Sequence, residues 1–271
     1  MLAAVLTAAE ATPVLTEVAS VRSLSRSEAA QKTAVHLRGV ITTRSGWTNS
    51  FFLQDTTAGI AIDLVDKHAD FHAGEVVEVE GVSEPGSFAP SVLAERVKVL
   101  GRGAFPAAKL YDMRELTGGN LDSQWIALAG LVRNAEVQTI WNRRVLVLSL
   151  DTGIGSASAR ILDFSGDQKD LVDAAVQIRG VCGTVYNGRR QFVGIRMFVP
   201  SLAEIFVVQP GYRNPYDAPL RELNALMQFG QGSAPYHRIR VRGTVTYQRP
   251  GKELYIPVSY THLTLPTNRE V

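Results

Sequence analysis

The sequence predicts a mainly β chain: tandem five-stranded barrels joined by short connecting helices. Three observations predict it. A glycine-centred strand pattern recurs along the chain, the strand-like segments around it follow the same order twice, and a helix-like segment precedes each recurrence.

The recurring pattern is "VHLRGVIT" at 35–42, "IALAGLVR" at 126–133 and "IRVRGTVT" at 239–246, centred on Gly39, Gly130 and Gly243. "VEVEGVS" and "VQIRGVCG" repeat the idea around Gly81 and Gly180. Strict alternation of apolar and polar residues marks half-buried strands. A glycine inside such a strand marks a bulge, a bend or a close backbone approach. A strand that serves both sides of a small barrel needs such a point.

In the first unit, strands are expected at 35–43, 50–55, 60–64, 75–83 and 92–100. The turn Thr56-Thr57-Ala58-Gly59 joins the second and third, and a short helix or loop at 67–72 joins the third and fourth. Five strands with a helical connection after the third describe the OB-fold, a partly open Greek-key barrel. The second unit repeats the order at 125–137, 143–151, 156–164, 176–186 and 190–200. Its connection at 166–174 is expected to be helical, capped by Asp167, with Leu171 and Val172 facing inward. A third unit starts at His237 and reaches only the beginning of its second strand.

Lead-in helices are expected within 18–31, at 111–117 and at 218–230. The last carries Leu220, Leu223, Leu226 and Met227 on one face and Gly230 as its C-cap. The chain therefore divides into an N-terminal arm with a lead-in helix (1–33), barrel 1 (34–103), a connector (104–123), barrel 2 (124–201), a helical connector (202–236), the start of barrel 3 (237–256) and a tail (257–271).

The tail breaks the repeat. After "ELYI" the first unit predicts a Gln-Asp turn, but Pro257 follows and would remove a ladder donor in mid-strand. "VSYTHLTLPT" resembles a sequencing adapter translated in frame, so residues 257–271 are read as non-native and the chain as a fragment of a longer parent. At the other end, "MLAAVLTAAEATP" resembles the back half of a secretory signal, but no Lys or Arg precedes Arg22. It is either a signal remnant or a small-residue arm.

Composition narrows the function classes. The 271 residues are 45% hydrophobic and 20% charged, as in ordinary globular domains. A net charge of +2 does not by itself imply nucleic-acid binding. The single cysteine, Cys182, excludes an internal disulfide and a multi-cysteine zinc site. No run approaches the roughly 20 apolar residues of a membrane-spanning helix.

Few residues suggest chemistry. His68 and His72 stand at i, i+4 with Asp66 and Asp70 nearby, but the spacing is not H-E-x-x-H and no third ligand follows, so a solvated connector is the expected reading and no metal is assigned. Asp55 sits at the first barrel's tight turn, where a carboxylate most simply accepts hydrogen bonds from turn N–H groups. Cys182 lies on a strand and reads as a small buried hydrophobe. Gly153-Ile154-Gly155 falls in a hairpin and is no phosphate loop. No catalytic residue and no cofactor are assigned.

The candidate ligand-binding residues are Arg44 and Trp47 in the first strand-one to strand-two loop, and Trp141, Arg143 and Arg144 in the second. OB-folds use stacking aromatics and a basic groove at such loops. Gly39, Gly81, Gly130, Gly180, Gly243 and Asp55 are the structural positions.

The run "LRGVITT…FFLQDTTAGIAIDL…GEVVEVEGVSEPGSFAPSVLAERVKVLG", followed by "ELTGGNLDSQWIALAGLVR" and "LVDAAVQIRGVCGTVYNGRRQFVGIRMFVPS", resembles the extracytoplasmic N-terminal region of bacterial membrane sensor histidine kinases. The resemblance covers nearly all of 15–256. It implies a non-catalytic, periplasmic sensory region of a membrane-anchored parent, binding an unknown small molecule or protein, and it transfers no ligand-binding residues. The alternatives are an OB-fold nucleic-acid-binding protein or an accessory domain of a secreted hydrolase or nuclease. The acidic "GEVVEVEG" strand favours the sensory reading over nucleic acid.

Overall fold

Strand β1 (Ala34–Arg44) buries Val35, Leu37 and Ile41 while His36 and Arg38 face out, as its alternation requires. Its first half, Ala34 to Val40, pairs with β4 (Glu75–Glu84), and from Val40 onward it pairs with β2 (Ser50–Gln54). The strand changes partner around Gly39, where a Cβ would lie 2.5 Å from the Gln54 carbonyl oxygen. Strand β3 (Gly59–Leu64) is antiparallel to β2 and parallel to β5 (Ser91–Arg102), which returns to β4. The five close into a barrel in the order β1-β2-β3-β5-β4. The β4–β5 ladder shifts register between Glu80 and Gly81, and a Cβ on Gly81 would lie 2.1 Å from the Leu93 oxygen. Only glycine admits that approach.

The structure, a computed structural model, describes residues 14–45, 49–66, 70–140, 142–166, 168–189, 191–223 and 237–257. Met1–Pro210 form one unit and Gly211–Val271 another.

Within the first unit, a second ring repeats the first. Strands β7 (Trp125–Ile140), β8 (Arg143–Asp151), β9 (Ser156–Asp163), β11 (Phe192–Ser201) and β10 (Ala175–Tyr186) neighbour one another in that order, and β10 pairs back with β7. The parallel step again falls between the third and fifth strands, β9 and β11. Two short strands extend the sheet: β6 (Lys109–Tyr111) runs parallel to β7, and β12 (Ile205–Gln209) pairs with the start of β10. Gly130 and Gly180 approach the Asp151 and Phe198 carbonyl oxygens in the same manner as Gly39.

Each barrel has its own apolar core, and each is entered by a lead-in helix. Helix α1 (Val18–Arg22) sends Val18 and Val21 into the first core; α2 (Arg26–Ala29) follows, closed by a Ser25–Glu28 capping box. Helix α3 (Met113–Leu116) sends Met113 and Leu116 into the second core and carries the same device through Asp112 and Glu115. Of the two connections between third and fourth strands, the first is open to helix or loop in the sequence, and the second differs from the helix expected. Residues 67–69 of the first lie outside the described residues, and 70–72 are not helical. The second shrinks to a single 3-10 turn, Lys169–Leu171, with Leu171 and Val172 half-buried against the core and Asp167 outside the described residues. The lead-in helices already supply the apolar side chains that a connecting helix would contribute.

The second unit holds the hairpin β13 (Tyr247–Arg249) and β14 (Glu253–Tyr255) and a 3-10 turn, Pro215–Asp217. The strand expected at 239–246 is reduced to a parallel bridge, Leu220 to Arg240. Ile239 and Val245 stay exposed, because the short hairpin offers no sheet face on which to bury them. Gly243 is nevertheless tightly approached, with its Cβ position 2.3 Å from Ile256 Cγ2. Leu220 and Leu223 are not α-helical; Leu226, Met227 and Gly230 lie outside the described residues, as does 258–271. The bridge matches the parallel pairings that precede the earlier repeats, Leu15 with Val35 and β6 with β7.

Candidate functional site

The two barrels meet along a seam built from the β2–β3 turn. Asp55 shapes that turn. Its Oδ1 accepts the Thr57 N–H at 2.7 Å, the Thr57 hydroxyl at 2.6 Å and the Ala58 N–H at 2.9 Å, and its Oδ2 accepts the first N–H of α1, Val18, at 2.9 Å. One carboxylate thus fixes the turn and caps the lead-in helix.

The turn then reaches the second barrel. Gln124 Oε1 accepts the Gly59 N–H at 2.9 Å and its Nε2 donates to the Gly59 oxygen at 3.1 Å, while Gln54 Oε1 accepts the Trp125 N–H at 2.7 Å. Ser123 and Gln124 are in turn bonded to both polar groups of the Cys182 backbone on β10, and Asp122 Oδ1 accepts the Thr184 N–H at 2.8 Å. Arg22 of α1 donates to the Gly59 oxygen at 3.2 Å; burial lowers the pKa of its guanidinium and the nearby Asp122 carboxylate opposes that shift. Beside these bonds lies an apolar cluster of Phe52, Trp125 and Val181, with Phe105 stacked on Trp125 at 4.8 Å and Phe52 against Phe198 at 5.2 Å. The barrels are therefore packed together through both hydrogen bonds and apolar contact.

A cleft of about 370 Å³ opens next to the seam and takes a wall from each barrel. Barrel 1 contributes Arg44, Phe71, His72 and Arg102, barrel 2 contributes Leu162, Asp163, Pro200 and Ser201, and Phe105 and Glu204 come from the segments that follow each. Several of its charges are already engaged. Arg44 is ion-paired with Asp70. His72 lies 3.8 Å from Asp70 and 3.7 Å from Glu75. Glu204, 7% exposed, stands 2.8 Å from Arg179 Nε, and the Arg179 guanidinium covers the Phe206 ring at 4.4 Å.

Of the residues singled out from sequence, Arg44 lines this cleft. It is the last residue of β1 rather than a loop residue, opposite Phe51. Trp47 and Trp141 lie outside the described residues. Arg143 and Arg144 also belong to a strand: β7 and β8 extend until two residues separate them, so both arginines open β8. Arg144 sits over Phe164 at 5.5 Å, and neither arginine lines the cleft. Arg102, Phe105, Asp163 and Glu204 carried no signal in the sequence. They close or follow strands in different repeats, and only the packing of one barrel on the other brings them together.

Two further arginines flank Phe198 on the outer face of barrel 2. Burial lowers the pKa of both Arg160 and Arg196, and the charge of Arg196 lowers Arg160 further. Cys182 is buried, and desolvation first, then the Asp122 carboxylate, pushes its thiol up to about 12. Among the described residues no group of three or more His, Cys, Asp or Glu is arranged to hold a metal ion, and no helix is long and apolar enough to cross a membrane.

No family model matches the chain, and no curated protein matches it. Similar solved structures include the hypothetical protein ygiW from E. coli, 22% identical with a TM-score of 0.27, covering 32% of this chain and 90% of that one. The aspartyl tRNA synthetase from Entamoeba histolytica is 18% identical with a TM-score of 0.31, covering 44% of this chain and 24% of that one. A murine DNA-binding protein bound with double-stranded DNA is 10% identical with a TM-score of 0.32, covering 66% and 98%. Superpositions of this quality carry no argument about what this chain binds.

Proposed function

We propose that the chain is a ligand-binding, non-catalytic sensory region built of tandem OB-fold barrels, from the extracytoplasmic side of a membrane-anchored bacterial signalling protein of the sensor histidine kinase type. The observation that carries the binding part is the cleft with one wall on each barrel. A ligand touching both walls has a different affinity for each arrangement of the barrels, which is what transmission of a signal requires. The repeated closure of five strands in one order supports the OB-fold reading. The sensory and extracytoplasmic parts rest on the sequence resemblance. Cys182 itself is a poor nucleophile, because burial pushes its thiol up to about 12.

The test is the uninterrupted gene, read across Ile256 in source DNA. The reading expects the third repeat to complete and to lead into a membrane span and a kinase core. A genomic frame that continues through Val258 to Val271 and stops there overturns it. Nucleic-acid binding is the second reading, favoured by Arg144 over the Phe164 ring, with Arg143 next to it in β8. It expects association with single-stranded DNA that weakens steeply as salt rises.

A further inference from the structure

Within the cleft, two charged residues stand apart from the rest. Arg102, the last residue of β5, and Asp163, the last residue of β9, are both exposed and face the cleft from opposite barrels. Neither side chain makes a hydrogen bond or an ion pair with the described residues, although both backbones belong to ladders. By contrast Arg44 is neutralised by Asp70, and Glu204 by Arg179. Once the paired charges are set aside, the cleft offers one cation and one anion on facing walls. Between them lie Phe71, Phe105, Leu162 and Pro200, all half-buried.

From this arrangement we infer that the cleft binds a small zwitterion with an apolar body, an α-amino acid with a large apolar side chain. The inference rests on the ligand-binding reading above and names its ligand class. The ligand carboxylate pairs with the Arg102 guanidinium, whose fork matches two oxygens at once. The ligand ammonium pairs with the Asp163 carboxylate. The side chain covers Phe71, Phe105, Leu162 and Pro200, and the volume of about 370 Å³ falls in the range of small-molecule sites. The alternatives fit less well. A dianion or a phosphate ester would pair with Arg102 but leave its remaining charge facing the Asp163 carboxylate, and a simple amine would leave Arg102 unpaired. A neutral apolar molecule would cover both charges and satisfy neither.

The test is titration calorimetry on the full chain with three probes that share one aromatic body. L-phenylalanine carries both charges, phenethylamine only the ammonium and 3-phenylpropionate only the carboxylate. L-phenylalanine is expected to bind at least about tenfold more tightly than either analogue. Arg102→Ala should weaken L-phenylalanine and 3-phenylpropionate and leave phenethylamine unchanged. Asp163→Asn should weaken L-phenylalanine and phenethylamine and leave 3-phenylpropionate unchanged. Both positions are exposed, so unchanged melting temperatures are expected to accompany these losses. The inference is overturned if L-phenylalanine, L-leucine and L-methionine show no saturable binding at millimolar concentration. It is equally overturned if binding is indifferent to both substitutions. If no amino acid binds while the gene leads to a kinase core, the sensory reading stands and the ligand class is wrong. If L-phenylalanine binds with this charge pattern in a gene without signalling domains, the site stands and the sensory reading fails.

Discussion

Gln54 Oε1, on the turn of the first barrel, accepts the main-chain N–H of Trp125, the first residue of the second barrel, at 2.7 Å. Trp125 is 3% exposed, so no water is at hand to replace that acceptor. Gln54→Ala is expected to cost about 1–3 kcal/mol, the penalty of an orphaned buried donor. Gln54→Glu keeps an acceptor oxygen in the same place and should lose less. Urea unfolding of the two variants checks this, and equal losses would count against a role for the bond in joining the barrels.

Gly59 tests the seam sterically. A Cβ there would lie 2.2 Å from the Ser123 carbonyl oxygen, which is backbone and itself bonded to β10 through its residue's N–H. Neither partner can move without breaking the Gln124 bonds to Gly59. Gly59→Ala should therefore destabilise by about 1–3 kcal/mol, in the range of overpacked cores. It should also raise protease cleavage within residues 104–124, where the barrels are joined. A variant that is destabilised but no more easily cleaved there would place the strain inside barrel 1 alone.

Much of this fold is written in residue patterns of short range. The alternation in β1 and β7 fixes which residues face inward, and the glycines fall where one strand serves two neighbours. The turn role of Asp55 follows from a carboxylate two residues before an N–H that needs a partner. The failures have long-range causes. Helix length between the third and fourth strands depends on what else fills the core, and Val18 and Met113 do so from segments far away in sequence. Strand β7 runs on to Ile140, beyond its expected end at Val137, and pairs there with Arg143 and Arg144, which no local pattern signals. The seam and the cleft are invisible for a related reason. Gln54 meets Trp125, and Arg102 and Asp163 come to line one cleft, through packing of one repeat on the next, and periodicity describes each repeat alone.

Cys182 gives a chemical readout of native-state closure. It is 1% exposed, and burial and the Asp122 carboxylate hold its thiol near 12, so the reactive thiolate is scarce at mildly alkaline pH. Ellman's reagent is expected to leave the native protein untouched and to react in step with global unfolding as urea is added. Reaction that is fast in buffer and independent of urea would show that β10 opens locally, and with it the Ser123 and Gln124 bonds that join it to the seam.

Asp63 sets a pH dependence whose sign follows from its surroundings. Burial raises its pKa above the ordinary carboxylate value of 3.8; the nearby Ser91 hydroxyl opposes the shift, and the Glu84 charge adds to it. The folded state therefore holds the Asp63 proton more tightly than the unfolded chain does. Stability contributed by this group is highest below the unfolded pKa and falls as pH rises to the elevated folded value, with the full penalty present at neutral pH. Asp63→Asn cannot ionise and removes that slope. The variant should match the parent in acid, below the unfolded carboxylate range, and exceed it in stability at neutral pH, as read by urea midpoints at the two pH values. An Asn variant less stable than the parent at neutral pH would mean that the ionised Asp63 gains more from the nearby Ser91 hydroxyl than desolvation costs it, reversing the order of effects.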